Sequence, residues 1–261
     1  KRTMKTIFRL AGAIAVMIQS QTFGQSESMV KIEGGSYLPL YGTEQEVVVG
    51  DFLMDVTPVT NQDFLEFLQE NPQWKKSQVR PLFADSNYLA TWHPDDSYGA
   101  NLPSAPVTMF SWYAAKNYCE WLEMRLPTID EWEYVAMASA TRPDGRQEAG
   151  FQKTILGLYE APNTYKNEVG TTFRNYWGVE DLHGLVWEWT MDFNSIMIGG
   201  ESRKDSAGGG NLFCAGAAVG ASDVKDYAAF MRYTFRGSVK AKYAVKNLGF
   251  RCVKDLPADQ I

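Results

Sequence analysis

Apolar and polar positions alternate at the period of a strand near the start of the chain. Residues 29–33 (MVKIE) alternate, Gly34 and Gly35 follow, and residues 36–40 (SYLPL) resume the apolar pattern, which predicts a hairpin turning at the two glycines. Residues 47–55 (VVVGDFLMD) predict a further strand. The pattern then changes to a helical one at Val59. Thr60 is placed as N-cap, Asp63 as the third helical residue and Val59 as a staple against Phe64, with Pro72 marking the end. Residues 73–106 show no period and read as a long loop. Residues 111–123 (SWYAAKNYCEWLE) predict an amphipathic helix with Trp112, Ala115, Cys119 and Leu122 on one face. Pro127 stops it, and Thr128 with Glu131 forms a capping box for the next helix. Beyond residue 140 short alternating runs, glycines and aromatics dominate and little helix is expected.

The N-terminus changes the picture of where the protein resides. Met4 reads as the start behind three extra residues. Lys5 and Arg9 precede an apolar run from Leu10 to Ile18, and Thr22 and Gly24 follow. The run is too short for a bilayer, which takes ~20 residues, and reads as a secretory signal over residues 1–24 cleaved near Gly24. A buried N-terminal helix is the other reading. The expected mature domain, residues 25–261, then resides in the periplasm or outside the cell, where disulfides persist. Its length of about 237 residues suits one large domain or two small ones. No later stretch is apolar enough to span a membrane.

Composition narrows the class further. The net charge is −6 with no basic stripe, so nucleic-acid binding has no electrostatic basis. With 8 Trp, 13 Tyr, 14 Phe and 22 Gly, the chain suits a loop-rich fold with an aromatic core. His93 and His183 show no metal-ligand spacing. The run Gly208–Gly210 lacks the Lys-Ser/Thr of a phosphate loop. Three cysteines are present, Cys119, Cys214 and Cys252.

Five stretches, in order, resemble those of the formylglycine-generating enzyme family, also called sulfatase-modifying factors. They are residues 59–61 (VTN), 106–119 (PVTMFSWYAAKNYC), 125–134 (RLPTIDEWEY, similar to RLPTEAEWEY), 181–190 (DLHGLVWEWT) and 247–252 (NLGFRC). The resemblance implies an α+β fold: a single compact irregular domain related to the C-type lectin fold, with little sheet, two helices and much irregular chain. It also implies a disulfide between Cys119 and Cys252, although two separate buried thiols remain an alternative. A second family disulfide would fall on Ala136 and Tyr233 and is therefore absent.

Active members of the family use copper and oxygen to convert a sulfatase cysteine to formylglycine. Copper(I) is soft and favours thiolates, and the active members hold it between two cysteines. Cys214, in residues 209–214 (GGNLFC), resembles the first of these. The position of the second is Val219, or Ala228 when counted back from Arg236. Neither carries sulfur, and Met231 is the remaining candidate for a second soft ligand. Asn211 replaces a serine of the oxygen pocket, whereas Trp187 matches the pocket tryptophan. Cys214 is thus catalytic only if the protein is active, and otherwise a buried thiol behaving as a small hydrophobe.

Asp181, Gly184, Val186 and Glu188 match a family calcium site, and two carboxylates with two carbonyls suit that cation. The alternative for Glu188 is an ion pair with an arginine such as Arg251. A second calcium site, touching Asn163, is incomplete.

The resulting expectation is a calcium-stabilised, periplasmic or secreted relative without oxidase activity. It would bind a protein or peptide partner in an envelope maturation or assembly process. The alternative is a copper-dependent oxidase. An insertion over residues 215–227 would remodel the cleft. Trp74, Tyr88, Trp92 and Tyr98 suit either a partner contact or packing within their loop.

Overall fold

The computed structural model describes residues 29–40, 45–93, 96–195 and 226–257. The expectations for the secretory signal and for Asn211, Cys214 and Val219 lie outside these residues.

Four short strands open the fold: β1 (Met29–Ile32), β2 (Gly35–Tyr37), β3 (Val47–Val49) and β4 (Phe52–Asp55). β1 pairs with β4 and β2 with β3, both antiparallel, with Met29 opposite Asp55 and Gly35 opposite Val49. The two pairings share one register, so β1–β2 and β3–β4 are the arms of a single hairpin whose connection follows Tyr37. This corrects the hairpin expected at Gly34–Gly35. Those glycines serve close approach instead of a turn. A Cβ on Gly34 would stand 2.4 Å from the Val49 carbonyl oxygen, and one on Gly35 would stand 2.6 Å from the Tyr134 hydroxyl. Gly34 N–H instead donates to Asp51 Oδ1 at 2.8 Å.

Helix α1 (Asn61–Glu70) begins as its capping residues dictate. Thr60 and Asp63 exchange hydrogen bonds in a complete capping box, and Val59 and Phe64 are both buried. Helix α2 (Trp112–Trp121) starts at the Ser111 cap and buries Ala114, Ala115, Tyr118 and Cys119. Trp112 and Leu122 are only half-buried, so the inner face is rotated by one position from the expected one. Helix α3 (Ile129–Ala136) carries the expected Thr128–Glu131 box.

Two further helices correct the expectation of little helix after residue 140: α4 (Phe151–Glu160) and α5 (Tyr227–Ser238). In α4, Gly157 and Thr154 weaken the local propensity, and burial of Ile155 makes the helix through packing. In α5, Asp226 caps the first turn by accepting from Ala229 N–H at 2.9 Å, and Ala228, Ala229, Arg232, Tyr233 and Arg236 form the buried face. The described residues thus hold five α-helices, not two.

The last described strands return to the first ones. Short β5 (Trp187–Glu188) runs parallel to β6 (Leu248–Gly249), and β7 (Val253–Asp255) adds to β4 to give the sheet β1-β4-β7. Cys119 of α2 and Cys252 beside β7 form a disulfide with a Cα–Cα separation of 5.6 Å, linking positions 133 residues apart. Around it lies an aromatic core in which Phe64, Phe67, Phe110, Tyr118 and Phe250 pack ring against ring. Trp74, Tyr88 and Trp92 belong to the same core, and Tyr98 packs its ring on Trp92 at 5.9 Å. Trp74, Tyr88 and Trp92 are therefore buried packing residues, and Tyr98 stays half-buried against them. Among the described residues no helix is long and apolar enough to cross a membrane.

Candidate functional site

The segment 181–190 runs through the middle of the fold, and β5 sorts its side chains by alternation. Glu188 points inward and is fully buried. Its Oε1 accepts from Arg251 Nη2 at 2.8 Å and Nε at 3.1 Å, and its Oε2 accepts from Arg251 Nε at 2.9 Å and Trp132 Nε1 at 2.7 Å. The rest of the Arg251 guanidinium donates to the carbonyls of Asp55, Val56 and Glu180. Every N–H of Arg251 is used, as burial of a charge requires.

Asp181 is buried as well. Its Oδ1 accepts from the backbone N–H groups of Thr171 and Thr172 and from the Thr172 hydroxyl, and its Oδ2 accepts from Gly170 N–H. Gly184 adopts φ +91 and packs against Leu158 of α4, where a Cβ would stand 2.7 Å from the Leu158 Cβ. Val186 is buried beside it. A calcium ion on these four residues needs free carboxylate oxygens. Both oxygens of Glu188 are saturated by an arginine and an indole, and Asp181 retains capacity on Oδ2 alone. The residues present do not fit a calcium ion, and the arrangement is that of the Arg251 ion pair. Among the described residues no group of three or more His, Cys, Asp or Glu side chains is placed to hold a metal.

On the opposite side of β5, Trp187 is half-buried between two rings. Phe235 of α5 stacks on it with centroids 5.0 Å apart and planes inclined by 18°, and Tyr159 of α4 packs at 5.0 Å. The helices missing from the sequence reading are thus the ones that enclose Trp187.

Helix α5 is docked by charge. Glu133 of α3 accepts from Arg232 Nη2 at 2.6 Å and from Arg232 Nε at 2.9 Å, and it also receives Arg236 Nη1. Both guanidiniums lie over the Trp132 ring, at 5.5 and 4.7 Å. Burial works to raise the Glu133 carboxyl, but the two arginines outweigh it and hold it down at about 2. Arg232 also donates to the Tyr159 hydroxyl at 3.1 Å, which donates in turn to His183 Nδ1 at 2.8 Å. His183 Nε2 donates to the Ala136 carbonyl at 2.9 Å. Burial, with Arg232 second, pushes this imidazole down to about 3, so it stays neutral. This network escaped the sequence reading. Its one signal was the spacing of Arg232 and Arg236, four apart on a single helix face.

Ala136 and Tyr233, where a second disulfide was excluded, face a common cavity of about 180 Å³ between α3, α4 and α5. Ala228 lines it too and is buried, whereas Met231 is half-buried on the same helix. With Cys119 and Cys252 joined to each other, Cys214 is the one cysteine of the chain outside that disulfide.

A family model described as the sulfatase-modifying factor enzyme 1-like domain matches residues 15–256. The chain is 29% identical to an inactive C-alpha-formylglycine-generating enzyme 2 of Bos taurus, over 88% of this chain and 88% of that protein. It is 26% identical to a formylglycine-generating enzyme of Bos taurus, over 90% of this chain and 72% of that protein. Among solved structures, PvdO from Pseudomonas aeruginosa superposes with a TM-score of 0.51 at 20% identity, covering 87% of this chain and 94% of that one. That likeness establishes the fold alone.

Proposed function

The chain belongs to the sulfatase-modifying factor family, and on that footing we propose that it has no formylglycine-generating activity and acts by binding a protein or peptide. One observation carries this reading. Of three cysteines, Cys119 and Cys252 are consumed by the disulfide, which leaves Cys214 as a single thiol. A copper(I) ion between two thiolates cannot be assembled from one. The two positions where the second thiolate would fall are Val219 and Ala228, and Ala228 is a buried methyl group on α5.

Two further points support it. The relatives include proteins whose names declare them inactive. Trp187, which matches the pocket tryptophan, has rings of Phe235 and Tyr159 against it. We place the binding activity in the periplasm or outside the cell, in the maturation or assembly of envelope proteins. The apolar run at residues 10–18 and the disulfide support that compartment. Copper would enter only under the alternative of an active oxidase, with Cys214 as its first ligand and Met231 or an unassigned group as its second.

Copper(I) titration against a competing chelator tests the reading. The intact protein and its Cys214→Ala variant are expected to compete equally poorly. Stoichiometric copper(I) uptake that disappears in Cys214→Ala would establish a rebuilt copper site and overturn it.

A further inference from the structure

The cavity between α3, α4 and α5 has hydrogen-bonding capacity left over, in which donors outnumber acceptors. Its apolar wall includes Leu40, Met137, Phe151 and Ile155. Its buried polar side chains are Glu133, His183 and Arg232, each more than nine-tenths buried. Glu133 is saturated, since each of its oxygens accepts from two arginine nitrogens. His183 is saturated at both ring nitrogens. Arg232 is not. It donates through Nε and Nη2 to Glu133 and through Nη1 to Tyr159. A guanidinium has five N–H donors, so one on Nη1 and one on Nη2 have no partner among the described residues.

Nearer the rim, Arg146 is in the same condition. Its Nε and Nη2 meet Asp144 and its Nη1 meets the Leu38 carbonyl, which again leaves two donors. The rim also carries Asp226, whose Oδ1 accepts from Ala229 N–H and Gln152 Nε2. Its charge acts on both arginines, and it leaves Oδ2 as the one unfilled carboxylate oxygen. A second unfilled acceptor is the buried Gln152 Oε1. The four unused guanidinium N–H groups therefore outnumber the two unused acceptor atoms, Asp226 Oδ2 and Gln152 Oε1.

We propose that this cavity binds a carboxylate borne on a short branched apolar chain, the carboxylate on the free N–H groups of Arg232 and the chain against Met137, Phe151 and Ile155. Two sources carry that chemistry, a free branched-chain acid and the C-terminus of a peptide ending in an aliphatic residue. Arginine meets a carboxylate with charge-assisted bonds in a planar fork, and a buried guanidinium does so without solvent competition. A volume of about 180 Å³ admits such a group. The assignment is independent of the copper chemistry and stands or falls apart from it.

Calorimetric titration of the intact protein with four probes tests it: isovalerate, isovaleramide, a blocked tripeptide ending in free leucine, and the same peptide as its amide. At least one of the two acids is expected to bind about 10-fold or more tightly than its amide, in keeping with a hydrogen bond to a charged group. Whichever acid binds more tightly identifies the source. Arg232→Lys retains the charge but loses the fork, and is expected to weaken the acid by a similar factor and leave the amide unchanged. Equal binding of acid and amide, or no saturable binding of either acid, overturns the proposal without recourse to any variant. A folded Arg232→Lys protein with undiminished preference for the acid overturns the placement on Arg232.

Discussion

Arg251 and Glu188 form a fully buried ion pair with N–O contacts of 2.8 to 3.1 Å, where β5 runs beside β6 and the chain continues toward β7. The pair ties the segment 181–190 to the neighbouring chain at the centre of the fold. Glu188→Gln leaves a buried guanidinium short of its counter-charge, and is expected to cost about 3–5 kcal/mol. Urea denaturation of the variant measures this. Chelation is expected to do nothing: EDTA should leave the melting temperature of the intact protein unchanged. A ligand that binds the native state raises stability by RT ln(1 + [L]/Kd), so a drop in melting temperature on chelation, restored by calcium, would show that Asp181 and Glu188 serve a metal after all.

The Cys119–Cys252 disulfide closes a segment of 133 residues between α2 and β7. In the chain-entropy model a loop of that size is worth up to ~5 kcal/mol. The double variant Cys119→Ser/Cys252→Ser is expected to show a lower denaturation midpoint with a similar dependence on urea. Thiol counting on the unfolded, unreduced protein is expected to give one free thiol. Three would contradict the assignment of Cys214 as the unpaired cysteine.

Asp55 sits beside that disulfide and supplies a pH dependence. Its Oδ2 accepts from Cys252 N–H at 2.9 Å, while its Oδ1 is buried with no partner among the described residues. Burial is the largest influence and pushes the carboxyl up to about 7, against the Cys252 N–H and Arg251, which lower it. The native state therefore holds a proton that the unfolded chain releases near pH 4. Stability from this group is fully present below about pH 4 and is lost as pH rises toward 7, by roughly 4 kcal/mol at most. Asp55→Asn is expected to flatten the slope of unfolding free energy over that window. A wild-type slope of opposite sign between pH 4 and 7, traced to Asp55 by the variant, would contradict it.

Phe235 shields Trp187. Phe235→Ala removes a stacked ring worth about 0.5–1.5 kcal/mol beyond its buried area. Steady-state quenching by acrylamide is expected to rise in the variant, with Trp187→Phe as the control that cancels the difference. Unchanged quenching would mean that α5 does not cover this tryptophan in solution.

How far the fold was legible follows from what each element depends on. Helices α1 and α3 were readable because their boundaries rest on local chemistry, Thr60 with Asp63 and Thr128 with Glu131. The first hairpin was misread because Gly34 and Gly35 have the composition of a turn, while their role is to let two backbones and a tyrosine approach. Helices α4 and α5 were missed for a related reason. Gly157 and Thr154 in α4 are weak helix formers, and α5 owes its place to Glu133, nearly a hundred residues away in sequence, which no periodicity reveals. Glu188 shows the same limit. Alternation in β5 placed it opposite the two tryptophans, but its partner was decided only when Arg251 arrived on the neighbouring chain segment. The unpaired cysteine, by contrast, was legible through the family resemblance, which implied the Cys119–Cys252 pairing, and the disulfide agrees with it.

The most direct measurement is mass spectrometry of a peptide carrying the sulfatase cysteine motif after incubation with the full-length protein, copper and oxygen, alongside an active formylglycine-generating enzyme. The peptide is expected to keep its thiol with this protein and to be converted by the active enzyme. Replacement of that thiol by an aldehyde here, dependent on copper and abolished by Cys214→Ala, would contradict a protein that works by binding alone.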